Sequence, residues 1–519
     1  MKNDIKQYRS HIFFMGLFVF LLHSAKINSV VIGIDTEDLI HSEQNLYGGW
    51  LGTGRQGLVF LKYFFGNSHF NPYFSGMMTL VMFALAVSAF FLLWDYVKGG
   101  RDGKFGLTAW ILGGLMWISH PVLAEQFYFS LQSVEICICF LLTAGALALS
   151  RLWVEKRMKG RFLLFPAAVA LLLVTFSGYQ IFVALYIFGV VTMLLLRTIR
   201  EFASEGEFSV KCFWKSIGGY LLLFLAAFVI NFTITKLFFS NSNYLQDQIL
   251  WGRIDFTDNI RNILHHMRQV LTGAGSIFYH WGYGLLCVTS FLLLLRLIWH
   301  HRGRGKLRIL LLLFLYGAVM LMPFLMTLIM GGAPVIRSQL ILPVMTGFLA
   351  YLNIALLQQA GLPQGRAQLC AAAVVVLISA AGGLAQAKTT EALYYTDRCR
   401  YEQDVALAET LIKRLKLVNR WNLPVVFVGS IEFEPNNACV EGEIIGRSFF
   451  DYDTEVEPLD YWSTRRILGF LHTLGADYDQ VPADRMEEAL EYSTYMAMWP
   501  EENCVEIWDD IVVVKLSDY

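Results

Sequence analysis

The chain has 519 residues, of which 56% are hydrophobic and only 16% charged, and its formal net charge is −1. Soluble domains run to about 45–50% apolar and about 25% charged residues, so this composition and a mean hydropathy of +0.49 exclude an ordinary soluble enzyme. The apolar residues cluster in runs of about twenty, the length that crosses about 30 Å of hydrocarbon, and no nucleic-acid partner is expected.

In chain order we read eleven spans, at 11–32, 74–95, 106–121, 127–150, 162–177, 179–197, 216–238, 280–299, 308–330, 338–357 and 368–387. The stretch 162–197 is too long for one crossing. Ser177-Gly178-Tyr179-Gln180 breaks it into two short helices joined by a tight turn. Segments 1–10, 96–105, 151–161, 198–215, 300–308 and 358–367 hold about three times the Lys and Arg of the alternate loops, which the positive-inside bias places in the cytoplasm. The N-terminus is therefore expected inside and, with an odd span count, the C-terminus outside. The first run is not read as a cleaved signal peptide, because it lacks a small-residue cleavage site and Asp35 follows directly.

Composition changes at 388: residues 388–519 hold 26 Asp and Glu against 12 Lys and Arg. The expected organisation is a transmembrane domain over 1–387 and a small extracytoplasmic α/β domain over 388–519. In the tail, 404–418, 463–475 and 484–492 have helical apolar spacing, and PVVFVGS (424–430) is a buried-strand run. CVEIWDDIVVVKL (504–516) reads as two strands around an Asp-Asp turn. Of the eight cysteines, Cys439 and Cys504 form a conceivable outer disulfide, whereas Cys137-x-Cys139 reads as small helix residues.

The first outer loop, 33–73, is long for a connector. It opens GIDTEDLIHSEQNLYGGWLGTGRQG, placing Asp35, Glu37 and Asp38 at a membrane–water boundary. Carboxylates at that depth are costly unless they do chemistry or bind a cation. They are candidates for a general base or a divalent-cation site, against the plainer reading of helix capping. An aromatic Gly-Gly-Trp turn ending at Trp50 follows, then Arg55 between glycine-rich neighbours, suited to a phosphate. LVFLKYFFG (58–66) is amphipathic and suits the interface plane. Tyr179 and Gln180 occupy an outer turn, and Arg337 follows a Gly/Pro break at the outer end of the tenth span. His120, Glu125 and Gln126 in the second outer loop are read as capping and packing residues. His265-His266 is not read as a metal site, since neighbours on a helix face apart.

No Walker A sequence, dinucleotide fingerprint or HExxH motif occurs. That argues against an ATP-driven pump and against a nucleotide-sugar enzyme with a Rossmann-type domain. The constellation fits group transfer from a polyprenyl-phosphate donor, and also a transporter with a cation site. A transporter of this size is expected to show internal repeats with broken helices, and no convincing repeat is found.

The order EDLIHSEQNLYGGWLGTGRQ, FSGYQIFVALYIF, APVIRSQLILP and CVEIWDDIVVVKL resembles the bacterial glucosyltransferase GtrII family, integral-membrane transferases of the GT-C type. The family's acidic pair looks like Glu37-Asp38, and its aromatic–Gly–Trp turn like Tyr47-Gly48-Gly49-Trp50. Gly54-Arg55-Gln56 stands where the family has Gly-Arg-Pro. The resemblance implies an inner-membrane hexosyltransferase with a polyprenyl-phosphate glucose donor made by a synthase and moved by a GtrA-type flippase. The acceptor would be a surface glycan such as O-antigen. It also implies an outer-loop carboxylate as base and Arg55 or Arg337 on the phosphate, with no cofactor certain. Another GT-C activity, with a different sugar or acceptor, stays open.

Overall fold

A computed structural model describes residues 2–99, 106–155, 161–204, 209–239, 248–363 and 365–518; the basic stretches 100–105 and 156–160 lie outside them, as does the acidic 205–208. The apolar runs fold as helices. These are α1 (Lys2–His23), α6 (Pro72–Lys98), α7 (Gly106–Ile118), α9 (Ser133–Glu155), α10 (Arg161–Gly178), α11 (Ile181–Ala203) and α12 (Val210–Phe238). They continue with α14 (Trp281–His300), α15 (Lys306–Leu321), α17 (Ile341–Gln359) and α18 (Arg366–Val418). Between them lie α2 (Ala25–Asn28), α3 (Thr36–His41), α4 (Glu43–Gly52), α5 (Gln56–Phe64), α8 (Val122–Tyr128), α13 (Phe256–Thr272) and α16 (Leu325–Met330). Among the described residues nine helices are long and apolar enough to cross a bilayer, and α7 with α8 makes a tenth if that bent pair is one span. The chain is a polytopic helical membrane protein.

Several of the spans differ in their bounds. The first helix ends at His23, whose buried ring is held between Tyr394 Oη (2.8 Å) and the Ile118 carbonyl (2.9 Å). α7 ends at Ile118, just before His120-Pro121, and α8 leaves at 55°, because proline has no N–H to continue the ladder. The next span therefore begins at Ser133 rather than 127. The last span is the first part of the 53-residue α18, so the composition boundary at 388 falls inside a helix.

α18 carries the chain out of the bundle into the tail. There β1 (Val425–Val428), β2 (Val505–Trp508) and β3 (Ile511–Lys515) form a sheet in the order β1-β3-β2. β1 pairs parallel and β2 antiparallel with β3. α19 (Tyr461–Thr473) and α20 (Met486–Ser493) pack beside it. Alternation decides which face is covered. Val426, Val428 and Val513 build a separate small core with Val481 and Met486, while Phe427, Val512 and Val514 belong to the core shared with the bundle. A buried Arg400 ties the two parts, donating to Asp397 (2.6 Å), Asp404 (3.1 Å) and the Ile32 carbonyl (3.0 Å). All eight cysteines are free, so no Cys439–Cys504 bridge is formed; Cys504 instead accepts from Arg414 at 3.0 Å.

Candidate functional site

Gly33 starts the site. A Cβ there would stand 2.8 Å from the Tyr128 ring, so only glycine allows the close approach in which Ile34 N–H donates to Tyr128 Oη at 2.9 Å. Asp35 follows in the left-handed region (φ 70°) at the N-terminus of α3, without capping it through its side chain. Asp tolerates that conformation better than most residues. Asp35 and Asp38 line a cavity of about 450 Å³. Glu37 points the other way. It is fully buried under Gly469, whose Cβ would meet its chain at 3.1 Å, and one of its oxygens has no partner.

The tail supplies the counter-charges. Arg466 Nη1 donates to Asp35 (3.0 Å) and to Glu37 (3.1 Å), and its Nε to Asp453. Arg465 donates to Asp38 at 3.1 Å. Burial pushes the Glu37 carboxyl well above the usual carboxylate range, with Arg466 opposing and the neighbouring Asp35 and Asp38 adding to the rise. For Arg466 burial acts against the charge, yet Asp35, Glu37 and Asp453 outweigh it and raise its pKa.

The other walls come from the bundle. Tyr47-Gly48-Gly49-Trp50 is not a turn but lies within α4, and Trp50 faces the cavity. The turn comes later, at Gly54 (φ 77°), and delivers Arg55. The Arg55 guanidinium lies 5.0 Å over the Tyr179 ring, and its Nε is buried without a hydrogen-bond partner. Gln180 is not in the lining. Its amide donates to the Thr53 carbonyl at 3.0 Å and so anchors the Arg55 turn. On the opposite wall Arg337 lies 4.4 Å over the Phe129 ring. The segment before it is fastened to the tail, since Ile336 N–H donates to the Glu443 carboxylate at 2.9 Å.

The cavity therefore brings together Asp35, Asp38, Trp50, Arg55, Tyr179 and Arg337, and leaves Glu37 and Gln180 behind the wall. The divalent cation considered for the first-loop carboxylates does not fit this donor set, because each carboxylate already takes a guanidinium. Sequence reasoning missed Tyr452, Asp453, Arg465 and Arg466, which complete the lining. An adjacent Arg pair in a tail this acidic was the available signal. Glu125 is buried and accepts from Glu443 N–H (2.6 Å), a fastening role like the one expected of it. His266 is enclosed by Thr327 and Tyr279.

A family profile described as Glucosyl transferase GtrII matches residues 25–354. No curated protein and no solved structure matches. The matched stretch contains all eight residues expected from sequence and stops short of the four that the tail contributes.

Proposed function

This chain belongs to the GtrII glucosyltransferase family, and on that premise we propose that it moves glucose, or another hexose, from a polyprenyl-phosphate carrier to a surface glycan. The reaction takes place on the outer face of the bacterial inner membrane. The supporting observation is one cavity that combines carboxylates, arginines and aromatic faces, with an apolar cleft beside it. That cleft, about 180 Å³, is lined by Gln56, Gly57, Phe60, Val174 and Ile234. It begins one residue from Arg55 and suits the start of a prenyl chain.

In this reading Asp38 takes the proton from the acceptor hydroxyl as its oxygen attacks the anomeric carbon. The bond to the phosphate oxygen breaks on the far side, which inverts the anomeric centre. The polyprenyl phosphate leaves as a stable anion on Arg55 and Arg337, so no nucleotide is needed. Trp50 and Tyr179 offer flat faces for the sugar ring. Gln180 and Glu37 act one step back, Gln180 by holding the Arg55 turn and Glu37 by orienting Arg466. Asp35 is the alternative proton acceptor, since it also faces the cavity. A donor synthase and a GtrA-type flippase would supply the outer-face donor.

Purified protein in detergent is offered short-chain polyprenyl-phosphate glucose or UDP-glucose with a surface-glycan acceptor, and products are read by mass spectrometry. Transfer from the lipid donor alone is expected. Transfer from UDP-glucose alone would overturn the donor assignment.

A further inference from the structure

On the outer flank of the same junction, three metal-ligating side chains from two distant parts of the chain converge. His41 closes α3, His472 lies in the last turn of α19, and Asp477 follows it. One ligand atom from each lies within 4.8 Å of the other two. The two imidazoles pack edge to face with centroids 4.5 Å apart, and His472 Nδ1 is 3.2 Å from Asp477 Oδ1. None of the three lines the cavity.

We infer that His41, His472 and Asp477 form a zinc-type metal clasp joining the first loop to the C-terminal tail. Two nitrogens and one carboxylate oxygen suit zinc or a neighbouring transition ion rather than magnesium or calcium, which take oxygen donors. Tetrahedral zinc with bonds of about 2.0–2.1 Å holds its donors about 3.3 Å apart. His41 and Asp477 are exposed and His472 is half-buried, so small side-chain rotations close the remaining gap. Water completes the fourth position. His41 comes one turn after Asp38, and His472 about two turns after Arg465 and Arg466. An ion here therefore fastens α3 to α19 beside the ion pairs that already join them, one turn along from Asp38–Arg465. The inference stands apart from the choice of sugar donor, because it concerns ion binding alone.

The full-length chain in detergent, stripped with a chelator and desalted, is titrated with zinc chloride, and bound zinc is counted by mass spectrometry. We expect one zinc per chain at micromolar concentration, undiminished by excess magnesium. His41→Ala and His472→Ala should each weaken binding by at least about tenfold, the least that disturbing a metal's ligand shell costs. Both variants should keep the apparent Tm of the wild type in metal-free buffer, and zinc should raise Tm in the wild type alone. Sub-stoichiometric zinc in the wild type, or one zinc per chain retained in His472→Ala, would overturn the clasp. The cluster would then be a surface His–Asp hydrogen bond beside a stacked ring.

Discussion

Replacing Arg466 by Gln tests the junction most directly. It removes the one guanidinium that, among the described residues, pairs with Glu37, a carboxyl with no solvent exposure, and it frees Asp35 and Asp453 as well. Removing one partner of a buried pair typically costs about 3–5 kcal/mol. Glu37 can limit its share by taking up a proton. Neutralising a carboxyl that titrates near 4.3 costs about 1.4 kcal/mol per pH unit, hence at most about 4 kcal/mol at pH 7 and about 1 kcal/mol at pH 5. The sign follows from the raised pKa of Glu37. Its favourable contribution is complete below the unfolded value and is lost as pH rises through the folded one, and losing Arg466 moves the folded value higher. The damage should therefore grow with pH. Apparent Tm would be compared at pH 5.5 and 7.5 at one heating rate, since unfolding of such proteins is commonly irreversible. Wild type, Arg466→Gln, Glu37→Gln and the double variant are needed. Arg466→Gln should be hurt more at pH 7.5, and Glu37→Gln should restore much of the loss. Equal losses at both pH values, with no rescue, would refute the buried pairing.

Asp38→Asn should lower transfer about 10²–10⁴-fold and barely change Tm, because its ion pair with Arg465 is partly exposed and worth about 0–1 kcal/mol. Near-wild-type transfer in that variant, with loss in Asp35→Asn, would move the base to Asp35. Arg55→Lys and Arg337→Lys keep charge but lose the planar fork, so the donor KM should rise while the acceptor KM holds; an unchanged donor KM in both would put the phosphate elsewhere. Gly33→Ala should destabilise by about 1–3 kcal/mol through overpacking against the Tyr128 ring, measured by thermal unfolding. A reporter that fluoresces only in the cytoplasm, fused after Tyr519, should stay dark, and a bright signal would reverse the orientation.

The spans were readable because run length and apolar content decide them locally, as do the tail strands around Asp509-Asp510. The bounds that moved depend on longer-range facts. His23 finds its partners at Ile118 and Tyr394, and no local pattern announces them. The unbroken α18 had a readable cue, since no Gly or Pro occurs between Gly383 and Pro424; the change of composition at 388 hid it. Glu37 and Asp38 look alike as neighbours in sequence. One turns into the tail and the other into the cavity only because Gly469 admits the first. Arg465 and Arg466 read as the polar face of an amphipathic helix, and their first-loop partners lie more than four hundred residues away.

That distance bears on why an acidic loop and an anionic donor can share one cavity. Three carboxylates in the first loop, with Asp453 beside them, would repel a phosphate. At an effective dielectric constant of 20, each unit charge about 8 Å away contributes about 2 kcal/mol of repulsion. Arg465 and Arg466 bond those carboxylates directly and offset two of the four charges. Arg55 and Arg337 lie instead on the Tyr179 and Phe129 rings, and the Arg55 Nε is buried without a hydrogen-bond partner. In the proposed reaction the tail arginines thus hold the base in place and quiet the loop's charge, and the bundle arginines meet the phosphate. In that reading the docked tail is part of the working site, and the chamber draws on residues beyond the stretch that the family profile matches.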